Sequence, residues 1–165
     1  MDAPTYNVLF LCTGNSARSI LAEALLNELG KGRFRAFSAG SHPTGQVNRY
    51  ALELLRKNHF PVAKLHSKAW DEFARPDAPR LDFVFTVCDK AAGEVCPVWP
   101  GQPMTAHWGV PDPAAVEGSD DARRRVFVDV MSQLQRRIHV FINLPLDKLD
   151  RMKLQQAVNE IGGLA

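Results

Sequence analysis

The chain has 165 residues, of which 45% are hydrophobic and 23% are charged, and its formal net charge is +2. This length and composition predict one globular domain over residues 1–165. The densest basic runs, 123–125 and 136–137, are too short for a nucleic-acid-binding surface. We predict that these arginines form the solvated face of a helix.

The chain shows no pattern for insertion into a membrane or for export. No apolar run approaches the roughly 18 residues that suggest a membrane span, and no basic leader precedes the first apolar segment. The three cysteines, Cys12, Cys88 and Cys96, are too few and odd in number for a secreted disulfide framework. We therefore expect a cytoplasmic protein without a membrane partner, whose thiols are either inert or chemically active.

Predicted strands and helices alternate along the first half of the chain. Residues at helical spacing cover 20–29, with Gly30 as a C-cap, and 47–55. Short segments rich in β-branched or aromatic residues predict strands at 6–11, 34–38 and 83–87. This order predicts a parallel sheet covered by helices, with its ligand site beyond the carboxyl ends of the strands. Cys12 and Cys88 each follow a predicted strand, so both belong to that edge.

The second half of the chain is predicted to be a long loop followed by two helices. Residues 95–114 hold five of the eleven prolines and predict an irregular functional loop. A long amphipathic helix is predicted to begin after Ser119 as N-cap and to reach Ile142. A last helix is predicted over about 146–161.

The segment from Cys12 to Ser19 predicts an anion-binding loop. A bend from strand to helix leaves the amides of Thr13 to Arg18 without helical partners, and a Gly14-Asn15 turn can aim them at one oxyanion. Arg18 adds a planar fork of donors that matches a tetrahedral oxyanion.

Cys12 at the base of this loop is the predicted nucleophile. The positive surroundings should pull its thiol pKa below about 8.5, toward roughly 4 to 7. Ser19 is predicted to donate a hydrogen bond to the sulfur. The alternative is a buried apolar cysteine without a chemical role. No Gly-Lys-Ser/Thr or Gly-x-Gly-x-x-Gly motif is present, so no tightly bound nucleotide cofactor is expected.

These residues carry a family resemblance. The stretch CTGNSARS, residues 12–19, resembles the anion-binding loop of the low-molecular-weight protein tyrosine phosphatase superfamily, which includes the thiol-coupled arsenate reductases. The resemblance continues in FSAG (37–40), HSKAWDE (66–72), VFTVC (84–88) and HWGVPDPA (107–114). It implies a single three-layer α/β domain with a central four-stranded parallel sheet flanked by helices on both faces. It also implies that Thr13, Gly14, Asn15, Ser16, Ala17 and Arg18 bind the substrate.

The resemblance assigns the general acid to Asp112 of the Asp112-Pro113 pair. The alternative is that this Asp-Pro step only starts a turn. Phosphotyrosine phosphatases of the family usually follow the pair with aromatic residues that wall the substrate slot, but here Ala114 and Ala115 follow. Small walls suit an inorganic oxyanion better than an aryl phosphate, which favours arsenate.

The segment VCDKAAGEVC, residues 87–96, resembles the redox segment of the arsenate reductases. The resemblance implies a relay in which Cys12 attacks arsenic, Cys88 attacks the sulfur of Cys12, and Cys96 then attacks Cys88. Residues 89–95, if helical, would hold the last two cysteines about 12 Å apart, so the segment would have to unwind. The alternatives are two packed core cysteines or a metal site with His107.

Some of these reductases bind potassium near the loop, and the resemblance matches Asn15, Glu23 and Ser38 to its ligands, with Asp71 as a fourth. The alternatives are simpler. Asn15 can brace the loop in a left-handed turn, Glu23 can be a solvated helix residue, and Ser38 can pin the loop by a hydrogen bond.

The sequence therefore predicts a monomeric arsenate reductase that needs an external thiol reductant, either thioredoxin or glutaredoxin with glutathione. The alternative enzyme is a phosphatase that hydrolyses phosphotyrosine or small aryl phosphates through a phosphocysteine at Cys12. Weak phosphatase activity is expected in either case. The alternative outside the enzymes is a module that binds oxyanions or docks thioredoxin without catalysis.

Overall fold

The computed structural model describes residues 5–93 and 99–164. These residues form an α/β structure around one parallel sheet. The described residues form four strands and five α-helices: β1 (Tyr6–Cys12), α1 (Arg18–Leu29), β2 (Phe34–Gly40), α2 (Arg49–Lys57), β3 (Phe83–Thr86), α3 (Asp89–Ala92), β4 (Met104–His107), α4 (Asp120–Ile142) and α5 (Arg151–Ile161). Two short 3-10 helices cover Trp70–Phe73 and Pro113–Ala115. No described helix has both the length and the apolar character to cross a membrane.

All strands of the sheet run parallel, in the order β2-β1-β3-β4. The register pairs Cys12 with Gly40 and Thr86 with His107, so the carboxyl ends of the four strands share one edge. The predicted α/β fold with a four-stranded parallel sheet is confirmed. Only β4 has no match among the strands predicted from residue patterns, because its four residues lie inside the proline-rich stretch that predicted a loop.

Alternating side chains of β1 divide the core between the two faces of the sheet. Val8 and Phe10 lie on the face that packs against α1, α4 and α5, where Phe10, Phe85 and Trp108 form an aromatic cluster. Leu9 and Leu11 lie on the other face. That face is covered by a smaller cluster built from the first 3-10 helix and from Leu81 and Trp99. The functional edge is therefore carried by a sheet buried on both sides.

Two helix boundaries follow their predicted caps, and a third is shifted. Gly30 closes α1 by donating its amide to Leu26 O, and Ser119 opens α4 by accepting from the amide of Ala122. The helix predicted from 47 begins at Arg49, because the Asn48 side chain accepts from the first amides of α2.

The prediction of a last helix from 146 is wrong at its beginning. Residues 145–149 form turns, and the side chain of Leu146 in these turns is buried in the core. The Asp150 carboxylate accepts from the amide of Lys153 and opens α5 at Arg151. The apolar residue that suggested an earlier helix therefore packs from a turn.

The prediction of a solvated face for the arginines of 136–137 is wrong for Arg137. Arg136 is exposed, whereas Arg137 is only 3% exposed. Arg137 lies three residues after buried Leu134 and four before buried Phe141, so helical periodicity turns it toward the core.

Candidate active site

The loop between β1 and α1 is a concave cradle of backbone amides, and residues 12–18 are called the cradle below. The carbonyls of Thr13, Gly14 and Ser16 point outward, where they accept hydrogen bonds from the amides of His42, Thr44 and Asn48 at 2.9–3.0 Å. A peptide carbonyl and the amide of the next residue point in opposite directions. The amides of Gly14, Asn15 and Ala17 therefore face the interior of the cradle, as an oxyanion site requires.

Asn15 fixes the shape of the cradle. It has a φ of 45°, in the left-handed region, and its side chain is fully buried. Its amide nitrogen donates to Ser19 Oγ at 2.8 Å, and its amide oxygen accepts from the backbone N–H of Lys68 at 2.9 Å. The bracing role that the sequence left as an alternative is thus the one seen in the structure.

Gly40 at the end of β2 lets the sheet approach the cradle closely. A Cβ placed on Gly40 would lie 2.4 Å from Thr13 O and 2.9 Å from Cys12 O, both backbone atoms. No side chain fits there without moving the cradle. The sequence showed this glycine only inside the FSAG resemblance.

Arg18 joins the cradle to the loop that follows β4. Its Nη1 donates to Val110 O at 3.2 Å, and its Nη2 lies 3.7 Å from Asp112 Oδ2. The predicted acid and the predicted anion-binding arginine therefore meet at one place. Residues 107–115 are called the acid loop below.

Asp112 also starts a turn, as the alternative interpretation held. Its other carboxylate oxygen, Oδ1, accepts from the amide of Ala114 at 3.0 Å and caps the second 3-10 helix. The side chain is 44% exposed, and Ala114 and Ala115 beside it are exposed. The Asp112 carboxylate thus caps the turn with one oxygen and lies near Arg18 of the cradle with the other. The two exposed alanines place no large side chain at the edge of the site.

Cys12 and Cys88 form a buried thiol pair. Their side chains share a hydrogen bond, and neither is in a disulfide. Cys88 Sγ also accepts from the amide of Ala91 at 3.4 Å at the start of α3, and it lies 3.7 Å from Thr13 Oγ1. The structure therefore brings two of the three predicted relay cysteines into contact. Cys96 lies outside the described residues.

The two thiols share one proton through their hydrogen bond. The hydrogen bond to Cys88 and burial raise the pKa of Cys12, although the Arg18 guanidinium opposes them. The hydrogen bond from Cys12 lowers the pKa of Cys88 to about 5, with further help from the Ala91 amide and from Thr13. The two thiols therefore titrate as one coupled pair. The low thiol pKa predicted for Cys12 stays a prediction.

Ser19 is buried directly behind the cradle. Its Oγ accepts from Asn15, which leaves the hydroxyl hydrogen available for another acceptor. The predicted hydrogen bond to the sulfur of Cys12 is compatible with this arrangement and stays a prediction.

The four residues matched to a potassium site do not fit a potassium ion in this structure. Ser38 Oγ donates to Glu23 Oε1 at 2.5 Å, and the Lys68 ammonium lies 2.9 Å from Ser38 O and 3.9 Å from Glu23 Oε1. Asp71 is exposed in the first 3-10 helix. A protein cation thus occupies the position beside Glu23 and Ser38.

Lys68 was not singled out from the sequence. Burial lowers the pKa of Lys68 and raises the pKa of Glu23, and the Ser38 hydroxyl and the Lys68 charge oppose the shift at Glu23. Only the position of Lys68 inside the HSKAWDE stretch suggested a role. No spacing rule links it to Glu23, 45 residues earlier in the chain.

The His107 side chain forms hydrogen bonds with the end of β3 and with the start of α3. Its Nδ1 lies 2.7 Å from Thr86 Oγ1, and its Nε2 lies 2.7 Å from Asp89 Oδ1. It makes no described contact with Asp112. Among residues 5–93 and 99–164 no group of three or more metal-ligating side chains converges.

Comparisons with known proteins agree with this geometry. The family model described as low molecular weight phosphotyrosine protein phosphatase matches residues 7–155. An arsenate reductase of Halalkalibacterium halodurans is 34% identical over 134 residues, which are 81% of this chain and 93% of that protein.

Two solved structures extend the likeness to the fold. The arsenate reductase of Archaeoglobus fulgidus is 30% identical, with a TM-score of 0.60 over 80% of this chain and 98% of that one. An arsenate reductase in the phosphate binding state is 25% identical, with a TM-score of 0.65 over 84% and 97% of the two chains. The resemblance predicted from residues 12–19 is confirmed: this chain belongs to the low molecular weight phosphotyrosine protein phosphatase family.

Proposed function

We propose that this protein is an arsenate reductase that works through its cysteine thiols. The observation that carries the proposal is the hydrogen-bonded pair of Cys12 and Cys88 beside an oxyanion cradle. Hydrolysis of a phosphate ester needs one nucleophilic thiol, whereas reduction of arsenate needs a second thiol that can reach the first. The relatives reported above as arsenate reductases support the same activity.

In the first step the cradle amides and Arg18 hold arsenate over Cys12. The proton that Cys12 gives to Cys88 moves along their existing hydrogen bond and leaves Cys12 as the thiolate. Cys12 Sγ attacks arsenic, an As–O bond breaks, and Asp112 gives its proton to the leaving oxygen, which departs as water. The product is a covalent Cys12 thiol–arsenate adduct in which arsenic is still pentavalent.

In the second step Cys88 Sγ attacks Cys12 Sγ and a disulfide forms. The S–As bond breaks, and its electron pair stays on arsenic, which is thereby reduced from As(V) to As(III). The Cys88 proton goes to an arsenite oxygen, so atoms and charge balance. The contact between the two sulfurs in the reduced protein means that this attack needs little movement of β3 or of the cradle.

In the third step Cys96 attacks Cys88 and frees Cys12 for another cycle. An external dithiol then reduces the Cys88–Cys96 disulfide. We propose thioredoxin, or glutaredoxin with glutathione, as this reductant, and the cytoplasm as the compartment because it maintains such thiols in their reduced form. We propose that the protein acts as a monomer.

The test is arsenate-dependent oxidation of NADPH, coupled through thioredoxin and its reductase or through glutathione and glutaredoxin. Turnover in either assay supports the proposal and identifies the reductant. Cys12→Ser should abolish arsenate turnover and aryl phosphate hydrolysis, whereas Cys88→Ser should abolish only arsenate turnover. Wild-type arsenate turnover by Cys88→Ser would overturn the relay.

The second candidate is a phosphatase, because Cys12, Arg18 and Asp112 would serve phosphoryl transfer equally well. The exposed Ala114 and Ala115 leave the site without aromatic walls, so aryl phosphates are expected to be poor substrates. Brisk hydrolysis of an aryl phosphate without any arsenate turnover would establish this second candidate instead.

A further inference from the structure

Arg137 is a buried cation that the proposed chemistry does not use. It lies on the core-facing side of α4 and is 3% exposed. Its Nη1 donates to Trp108 O at 2.7 Å and to Gly109 O at 3.0 Å, while its Nε and Nη2 donate to Leu164 O at 3.2 and 2.9 Å. Three backbone carbonyls from two distant segments therefore converge on one guanidinium.

Within the described part of the chain, the hydrogen bonds of Arg137 are made to backbone carbonyls. No carboxylate of the described residues lies within ion-pair distance of its guanidinium, and burial and the nearby Arg136 charge lower its pKa. A buried charge is costly unless its hydrogen bonds are satisfied. The arrangement holds only while the acid loop and the C-terminal segment both stay in place.

Arg137 and Arg18 hold three successive carbonyls of the acid loop. Arg137 donates to the carbonyls of Trp108 and Gly109, and Arg18 donates to the carbonyl of Val110. The amides of Trp108 and Val110 donate to the strand-end carbonyls of Thr86 and Val87. The backbone is thus fixed on both sides up to two residues before Asp112.

The C-terminal segment, residues 156–164, packs directly on the same part of the acid loop. Trp108 Nε1 donates to Val158 O at 2.9 Å. A Cβ on Gly162 would lie 2.1 Å from His107 O, which shows how closely the two backbones approach. The family match ends at residue 155, so these contacts come from residues beyond it.

We propose that Arg137 is a positioning residue for Asp112, and that the C-terminal segment completes this support of the acid loop. The inference rests on the role of Asp112 in the proposed function. Arg137 touches no substrate atom, and it acts by holding the backbone that aims the carboxyl group at the leaving oxygen. A displacement of that group by about 1 Å is enough to lower turnover by about 100-fold.

The test is a double-mutant cycle of Arg137→Gln and Asp112→Asn, with exposed Arg136→Gln as the matched control. We expect Arg137→Gln to lower kcat by about 10- to 100-fold in the wild-type background. In the Asp112→Asn background, Arg137→Gln should lower kcat by less than about twofold, because the carboxyl group that Arg137 positions is gone. Arg136→Gln should leave kcat within about twofold in both backgrounds.

Two results would overturn the proposal. One is an Arg137→Gln loss of equal size with and without Asp112, which would mark a general structural role. The other is wild-type turnover by Asp112→Asn, which would leave nothing to position. The cycle is measured on arsenate and on an aryl phosphate, so it remains readable on the phosphate if the chain reduces no arsenate.

A second pair of variants covers the case in which Arg137→Gln does not fold. Gly162→Ala places a methyl group against His107 O, whereas the same change at Gly163 meets its nearest atom at 3.5 Å. Gly162→Ala should lower kcat by about tenfold with KM nearly unchanged, an effect that Asp112→Asn should suppress. Equal activity of the two alanine variants would contradict the role of the C-terminal segment.

Discussion

The cradle and the acid loop face the same site but are held there by different means. The cradle is short, and its ends are fixed by β1 and α1, while its outward carbonyls bond to residues 42–48. The acid loop is longer. Its carbonyls accept hydrogen bonds from Arg18 and Arg137, which lie 92 and 29 residues away in the chain from Val110 and Trp108. The geometry of the nucleophile thus depends on β1, α1 and the chain that follows β2, whereas the geometry of the acid depends on the packing of α4 and the C-terminal segment.

This difference suggests which substitutions separate the two regions. A change in the cradle should impair every reaction that begins with attack by Cys12. A change in the supports of the acid loop should impair only the transfer of a proton to the leaving oxygen. The variants below test that division in order of decreasing expected effect.

Arg18 joins the two regions, so its replacement should have the largest effect among these variants. Arg18→Lys keeps the charge but loses the planar fork that spans the oxyanion, Val110 O and Asp112. We expect kcat/KM for arsenate to fall by about 100- to 1000-fold, as for the loss of an oxyanion donor. Arg35→Lys, at an exposed position of β2, is the control. Turnover within tenfold of wild type would show that a point charge suffices.

Gly40→Ala should break the cradle and spare the acid loop. The added methyl group would lie 2.4 Å from Thr13 O, so the backbone must shift, at a cost of about 1–3 kcal/mol in the free energy of unfolding. Arsenate turnover and aryl phosphate hydrolysis should fall together, by at least tenfold. Denaturant unfolding and both assays measure these effects, with Gly163→Ala as control. A selective loss of one activity would argue against a shared cradle.

Lys68→Met should loosen the outer support of the cradle. It removes the ammonium beside Glu23 and leaves the carboxyl with the Ser38 hydroxyl as its described partner. We expect a loss of about 1 kcal/mol in the free energy of unfolding, and Glu23→Gln in the same chain should recover part of it. Activity in potassium and sodium buffers of equal ionic strength is compared in parallel. A potassium-dependent rise in the wild type would contradict the role assigned to Lys68.

The pair of Cys12 and Cys88 should show the smallest effect. We expect a shift in the pH at which its thiolate is protonated. With a Cys88 pKa near 5, the pair carries one thiolate above that pH and becomes fully protonated below it. Thiolate absorbance should therefore fall as the pH drops through about 5, and arsenate turnover should fall with it. In a Cys96→Ser background, adding Cys88→Ser should abolish this step. Its persistence would assign the low pKa to Cys12, as the sequence had suggested.

Much of the site was predictable because it lies in contiguous residues. The nucleophile, the turn and the arginine of the cradle follow one another from Cys12 to Arg18, and a strand before and a helix after them determine which way they face. The positive φ of Asn15 follows from its position in the turn. Three strands and the long helix α4 were likewise encoded by local spacing of apolar residues.

Residues whose roles depend on distant partners were not predictable in this way. The coupling of the two thiols could not be predicted, because the sequence shows the Arg18 charge near Cys12 but not the Cys88 thiol against it. Lys68 reaches Glu23 only because the chain after β2 returns past the cradle, where its backbone bonds to Asn15 and Gly40.

The family, the parallel α/β fold, and the cradle with its cysteine and arginine could all be inferred from the order of the amino acids. Periodicity and turn chemistry act over a few residues and can therefore be read in order along the chain. The hydrogen bond between Cys88 and Cys12, the place of Lys68 beside Glu23, and the contacts of Arg137 with the acid loop became visible only in the folded chain. Hydrogen bonds and burial of this kind depend on which distant segments the packed core brings together, and that information is absent from any short stretch of sequence.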